Sequence, residues 1–372
     1  MASDDPIYVT RPYLPPLSEL TPLLERIWAN KWVTNHGPLH EQFQEQLAHF
    51  LDVDHISLTT NGMLALELII EAAGLHGEVI TTPYSFVATS HALKRAQLRL
   101  VFADISPTDL NIDPRAVEEA IGEHTSAIVA VHCYGNPCDV KALKEIADRH
   151  KLMLIYDAAH AFGVQYLGQS LVKWGDFSAL SFHGTKAFNT FEGGAAIART
   201  PQGARAVNMG RNFGIADEVT IPCVGTNGKM SEFNAAMGLL QLRHFARARN
   251  ARALIDRRYR EALEGVAGID LLPLPAHTEP NFSYFPVLVS EAFPLSRDAL
   301  YDRLKEQQIF SRRYFYPLLS NLPMYRHEAS ATPSNLRVAI RAAEQILCLP
   351  LYADLGVSDQ ERVIDAVLAA GA

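Results

Sequence analysis

Asp139-Val-Lys-Ala-Leu-Lys-Glu-Ile-Ala-Asp-Arg-His-Lys-Leu-Met-Leu-Ile-Tyr-Asp157 reads as a helix followed at once by a buried strand. Asp139 is the N-cap, since its short carboxylate can accept from the free amides of a first helical turn. Val140, Leu143, Ile146 and Ala147 then fall on one face through His150. Leu152–Tyr156 is continuously apolar, as strands covered on both sides of a parallel sheet require. The strand ends on a carboxylate, Asp157.

The same alternation extends upstream. Strands are expected at Ile56–Leu58, Val79–Thr82, Leu98–Ile105 and Ala127–Cys133, and helices at Met63–Ala73, Val87–Arg95 and Pro114–Ile121. Asp113 caps the last of these, with Pro114 at its first position. Before them, the stretch to Pro38 is rich in proline and turn residues, with one helix around Leu17–Ala29. Strands at Ser178–Phe182 and Ala195–Ala198 follow, then a long helix over Ser231–Arg249. Such a rhythm implies an α/β fold, with parallel strands and crossover helices on both faces. The 372 residues suit two domains. We expect an N-terminal segment and large domain over 1–249, and a smaller C-terminal α/β domain over 250–372, with a strand at Phe285–Val289 and a helix at Leu300–Gln307.

Composition narrows the function. Apolar residues make up 48% and charged residues 20%, so a large core is available. The net charge of −8 leaves no basic excess to neutralise phosphates, which argues against nucleic acid as the main partner. The N-terminal residues show no basic start followed by an apolar run, and no apolar stretch is long enough to span a bilayer. Cys133, Cys138, Cys223 and Cys348 form no CxxC pair and suit neither zinc nor a disulfide framework. We read them as free thiols, and the protein as cytoplasmic, without a metal and without a membrane partner.

In open parallel sheets, ligands sit beyond the carboxyl ends of the strands. The polar residues there are Asn61–Gly62, Tyr84–Phe86, Asp157–His160 and His183–Lys186. Tyr156-Asp-Ala-Ala-His-Ala-Phe-Gly163 uses small residues, so something approaches its backbone closely. Ser181-Phe-His-Gly-Thr-Lys186 and Glu192-Gly-Gly194 follow. Each residue alone has a plain structural reading, Lys186 as a surface lysine and Asp157 as a helix cap. No GxGxxG follows an early strand, so nicotinamide chemistry lacks support.

Together these segments resemble the DegT/DnrJ/EryC1/StrS sugar aminotransferases. That family has Asp-Ala-Ala-(Gln/His)-Ala after a strand, then Ser-Phe-x-x-x-Lys, then a Glu/Gly-Gly-Gly turn. Thr34-Asn-His-Gly-Pro38, Tyr84-Ser-Phe-Val-Ala-Thr89 and Gly225-Thr-Asn-Gly-Lys-Met-Ser-Glu-Phe-Asn-Ala-Ala-Met-Gly238 look similar too. The resemblance spans nearly the whole chain. It implies the pyridoxal-phosphate (PLP) aminotransferase fold of type I, with a large, mostly parallel mixed sheet and a smaller C-terminal α/β domain.

The resemblance also implies roles. Lys186 would carry PLP and move the substrate proton. Asp157 would keep the pyridine nitrogen protonated, which the cofactor needs as an electron sink. His160 would sit beside the ring oxygen, the alternative being a packed core histidine. Phe86 would stack on the ring, or be an ordinary core phenylalanine. The phosphate would lie at Gly62, Met63 and Leu64, where a helix start offers free amides. Met63 departs from the threonine of many relatives, and Ser181 could supply the missing hydroxyl. Asn227 would reach a neighbouring subunit's phosphate in a homodimer with shared active sites, or be a turn residue. Lys229 and Arg211 could meet a pyrophosphate or carboxylate, although solvated charge is the default. Tyr314 and Tyr316 would line the sugar pocket, although the histidine often found after this stretch is absent and Ser320 stands nearby. The implied reaction moves an amine from L-glutamate, releasing 2-oxoglutarate, to a nucleotide-linked keto sugar. The wording is nearest the branch acting on dTDP-4-keto-6-deoxy-D-glucose, and the 3-keto branch shares most motifs. Sugar-deoxygenating relatives replace the lysine by histidine, so Lys186 speaks for amine transfer.

Overall fold

A computed structural model describes residues 5–371. The N-terminal residues on which the leader reading partly rests, 1–4, lie outside them. Its main elements are α1 (Leu17–Asn30), α2 (Pro38–Leu51), β1 (Ile56–Thr59), α3 (Gly62–Ala72), β2 (Glu78–Thr81), α4 (Val87–Arg95), β3 (Arg99–Phe102), α5 (Pro114–Glu119), β4 (Thr125–Val131), α6 (Val140–His150), β5 (Met153–Asp157), β6 (Phe177–Ser181), β7 (Gly194–Ala198), α7 (Pro201–Gly210), α8 (Glu232–Leu263), β8 (Ile269–Leu271), β9 (Phe285–Val289), α9 (Arg297–Glu306), α10 (Arg337–Gln345), β10 (Ile346–Leu349) and α11 (Val357–Gly371).

Seven strands form one mixed sheet in the order β1-β7-β6-β5-β4-β2-β3. All neighbours pair in parallel except β7, which runs antiparallel to β1 and β6. Side chains alternate between the two faces. Leu58, Ile80, Ile128, Leu154, Tyr156 and Leu180 join a core with α1, α2, α6 and α8. Val79, Leu100, Val129, Ile155 and Ala179 join another with α3, α4 and α10. Both faces are dry, which is why these strands read as unbroken apolar runs. The four residues expected on the buried face of α6 are all buried, and Asp139 caps it through Ala142 N–H. A three-stranded antiparallel sheet, β8-β9-β10, packs with α9 and α11 around a third core.

Several expected boundaries move, for identifiable reasons. The strand expected to Ile105 ends at Phe102, because Asp104 turns away to accept from Val338 and Ala339 N–H at the start of α10. The strand expected to Cys133 ends at Val131. Beyond it a single tight turn places Tyr134 in the left-handed region at φ 57°. Helix α2 was not expected at all. Its start is held by the buried Glu232 carboxylate, which accepts from Leu39 and His40 N–H at 3.0 and 2.6 Å. The helix expected to stop at Arg249 runs on to Leu263, because buried positions continue through Arg252, Ile255, Tyr259 and Leu263. Residues 249 and 250 therefore sit inside one unbroken helix.

Candidate active site

A cavity of about 590 Å³ opens at the carboxyl ends of β5 and β6 and the start of α3. Gly62, Met63, Phe86, Asp157, His160, Ser181, Lys186 and Tyr314 all line it. These residues are far apart in sequence, and the parallel strands bring their ends to one edge.

Asp157 is buried at the end of β5. Its Oδ2 accepts from Thr89 Oγ1 at 2.6 Å and its Oδ1 from Ala159 N–H at 3.1 Å. Burial raises its carboxyl pKa, while the Thr89 hydroxyl, the Ala159 amide and the Lys186 charge oppose the rise. Thr89 in turn meets Ser85 Oγ at 3.0 Å. Sequence reading assigned Thr89 no role, since nothing in a threonine 68 residues upstream marks it as the partner of this carboxylate.

Lys186 lies in the loop between β6 and β7. The loop is closed at its base by Phe182 N–H to the Gly193 carbonyl and Thr190 N–H to the Phe182 carbonyl. Asn234 Nδ2, from the first turn of α8, donates to the Thr190 and Glu192 carbonyls. Burial lowers the Lys186 ammonium from 10.5 to about 8, with Asp157 pulling the other way. The two side chains feel each other but form no direct ion pair, and both line the same cavity.

His160 is buried, and its Nδ1 accepts Tyr134 N–H at 3.2 Å. A neutral ring in that position carries its proton on Nε2. Burial, then Lys186, holds its pKa well below the ordinary range. Phe86, at the start of α4, is 55% exposed, an unusual state for a phenylalanine lining a cavity. Phe86 is therefore not an ordinary core phenylalanine.

The start of α3 is a close fit. A Cβ on Gly62 would stand 2.7 Å from Ser181 Cβ. The Gly62 and Met63 amides have no partner, as first-turn amides do not. Leu64 differs from expectation. Its N–H is taken by the Asn61 side chain at 2.8 Å, and Leu64 does not line the cavity.

Other expected residues lie outside the cavity. Tyr316 stacks on the Arg297 and Arg313 guanidiniums at 4.6 and 5.3 Å, so Tyr314 alone of the pair faces the pocket. Lys229 is buried, donates to Asn227 Oδ1 at 2.8 Å and lies over the Phe213 ring. Asn227 itself is exposed. Arg211 is fully buried, donates to the Leu58 carbonyl and reaches His40 Nε2 at 3.4 Å, so it serves the core. Among the described residues, His36, His40 and Glu41 bring three ligand-type groups together. The Arg211 cation opposes a metal there, and a His40 ring that accepts at Nε2 holds its proton on Nδ1.

The cavity fits PLP on its own geometry. Unpartnered helix-start amides beside Ser181 suit a phosphate, and the exposed Phe86 ring suits an aromatic face. A buried carboxylate beyond them suits a ring nitrogen. A lysine brought toward neutrality at this spot asks for a carbonyl to attack, and the buried Asp157 is not used up in neutralising it. That combination on this sheet defines a pyridoxal-phosphate transaminase of fold type I.

The chain belongs to the DegT/DnrJ/EryC1/StrS aminotransferase family, whose profile matches residues 18–368. It is 48% identical over 354 residues to the dTDP-4-amino-4,6-dideoxy-D-glucose transaminase of Escherichia coli, covering 95% of each chain. It is also 48% identical to the enzyme of that name from Shigella dysenteriae over 364 residues, covering 98% of this chain and 99% of the relative. The crystal structure of DesI in the presence of its TDP-sugar product superposes with a TM-score of 0.94 at 38% identity. That match covers 100% of this chain and 94% of the other. PLP is the cofactor of this enzyme. No helix among the described residues is long and apolar enough to cross a membrane.

Proposed function

We propose that the protein transfers the amino group of L-glutamate to dTDP-4-keto-6-deoxy-D-glucose, giving dTDP-4-amino-4,6-dideoxy-D-glucose and 2-oxoglutarate. The observation that carries the reaction type is Lys186, lowered to about 8 in a cavity it shares with Asp157. The substrate rests on the 48% identity to the two 4-amino-sugar transaminases. The 3-keto alternative has weaker support, a 32% identity to the dTDP-3-amino-3,4,6-trideoxy-alpha-D-glucose transaminase of Streptomyces venezuelae.

When bound, PLP supplies an aldehyde that captures amines and an electron sink for the adjacent carbon. Lys186 would hold the cofactor, and its free amine would serve as the base that moves the substrate proton. Asp157, fixed by Thr89 and Ala159, would favour the protonated form of the cofactor's ring nitrogen. His160 would donate from Nε2 to the ring oxygen. The Gly62 and Met63 amides and the Ser181 hydroxyl would hold the phosphate, and Phe86 would offer the ring an aromatic face. Tyr314 lines the sugar side.

In this reading the enzyme is a cytoplasmic homodimer, and Asn227 reaches the phosphate of the second subunit. In the same reading residues 1–249 form the large unit and 250–372 the small one, with α8 running through the boundary. Incubation with L-glutamate and a panel of 3- and 4-keto dTDP sugars, followed by NMR of the product, tests the assignment. Amination at C4 is expected, and amination at C3 overturns it.

A further inference from the structure

We propose that His183 and Glu192 form a donor–acceptor pair at the cavity mouth that recognises hydroxyl groups of the sugar ring. This rests on the nucleotide-sugar reading above. Both residues line the cavity that holds Lys186, and both belong to the same β6–β7 loop. Neither is among the residues proposed above to hold the cofactor.

The ring of His183 is oriented by its own loop. Its Nδ1 accepts Thr185 N–H at 3.3 Å and lies 2.8 Å from Thr185 Oγ1. A neutral ring so held carries its proton on Nε2. The main chain of Glu192 is equally fixed, because its carbonyl accepts from Thr190 Oγ1 at 2.7 Å and from Asn234 Nδ2 at 3.0 Å. His183 Nε2 and Glu192 Oε1 are 3.6 Å apart. That is too long for a hydrogen bond, so the donor and the acceptor both keep capacity for a third group.

The chemistry selects a polyol. A hydroxyl both donates and accepts, so neighbouring hydroxyls on a ring can satisfy an N–H and a carboxylate side by side. Anions are poorly served, because the Glu192 carboxylate repels the carboxylates of glutamate and the pyrophosphate of the nucleotide. Those groups must be met elsewhere, and what remains for the pair is the neutral sugar. A site built to bond a substrate hydroxyl also rejects analogues that lack it.

The test uses two readouts. Calorimetric titration of the cofactor-free protein compares dTDP with dTDP-4-amino-4,6-dideoxy-D-glucose, and single-turnover absorbance follows each half-reaction of the loaded enzyme. His183→Ala and Glu192→Ala should each remove about tenfold of the affinity that the sugar adds to dTDP, while dTDP itself binds as before. The keto-sugar step should slow more than the glutamate step, and Glu192→Gln, which keeps an acceptor oxygen, should recover part of the loss. Equal weakening of dTDP and the sugar nucleotide, equal slowing of both steps, or no change overturns the pair. A wild-type protein that aminates no keto sugar overturns the functional reading itself.

Discussion

Lys186 must be uncharged to attack a carbonyl, and the cavity supplies most of that condition before any ligand arrives. Burial outweighs the pull of Asp157, so the folded-state pKa falls from 10.5 to about 8. The amine is therefore protonated below that value and free above it. Capture of PLP by the cofactor-free protein should accelerate roughly tenfold per pH unit below pH 8 and level off above it. Stopped-flow absorbance checks this, and a rise continuing beyond pH 10 would show an unperturbed lysine. At this scale the sequence was legible where a residue sits at a strand end in a distinctive local wording, as Asp157 and Lys186 do. It was silent on Thr89, whose hydroxyl meets Asp157 only because α4 packs over the end of β5. It misplaced Tyr316, because alternation within a short loop does not say which aromatic ring turns inward.

The start of α3 and the end of β6 meet without a side chain between them. A methyl at Gly62 would press on Ser181 Cβ, which belongs to a buried strand and has no flexible end to yield. Gly62→Ala should therefore lift the helix start away from the sheet. It should cost about 1–3 kcal/mol of stability and weaken PLP binding more than tenfold, read by thermal denaturation and by cofactor titration. An unchanged cofactor affinity would remove the phosphate from this turn. The elements themselves were readable where apolar spacing is clean, as in α6. Helix α2 was missed although Pro38 stands at its first position and Leu39, Phe43, Leu47 and Leu51 share its buried face. Its N-cap Gly37 offers no side-chain acceptor, and the Glu232 carboxylate that takes the first amides lies in a distant helix. The second half of α8 escaped because Arg252 and Asp256 occupy inward positions that a hydrophobicity pattern counts as polar.

Over the whole molecule, apolar side chains remain uncovered on the single chain. Val219, Ile221 and Val224 are 89%, 65% and 84% exposed in the segment that leads to Asn227, and Trp32, Val33 and Phe213 are exposed as well. Monomeric proteins rarely leave large contiguous apolar patches uncovered, and Val219, Ile221 and Val224 share one short segment. Sedimentation should give twice the chain mass. If the proposed homodimer holds, Val219→Asp combined with Val224→Asp should shift the protein toward monomer and lower PLP affinity with it, because the proposed Asn227 contact to a second subunit would be lost. A wild-type monomer with full cofactor affinity would contradict shared sites. The parallel strands followed from strand and helix alternation, but the antiparallel β7, which makes the sheet mixed, did not; only the family resemblance implied it. Its direction is set by the short loop through Lys186 that returns it beside β6.

Borohydride reduction of the PLP-loaded protein, followed by peptide mapping, tests the central claim most directly. The pyridoxyl label should fall on Lys186 alone, and Lys186→Ala should fold, take no label and lose at least about a thousandfold in turnover. A label on another lysine, or transamination surviving in Lys186→Ala, would contradict the account.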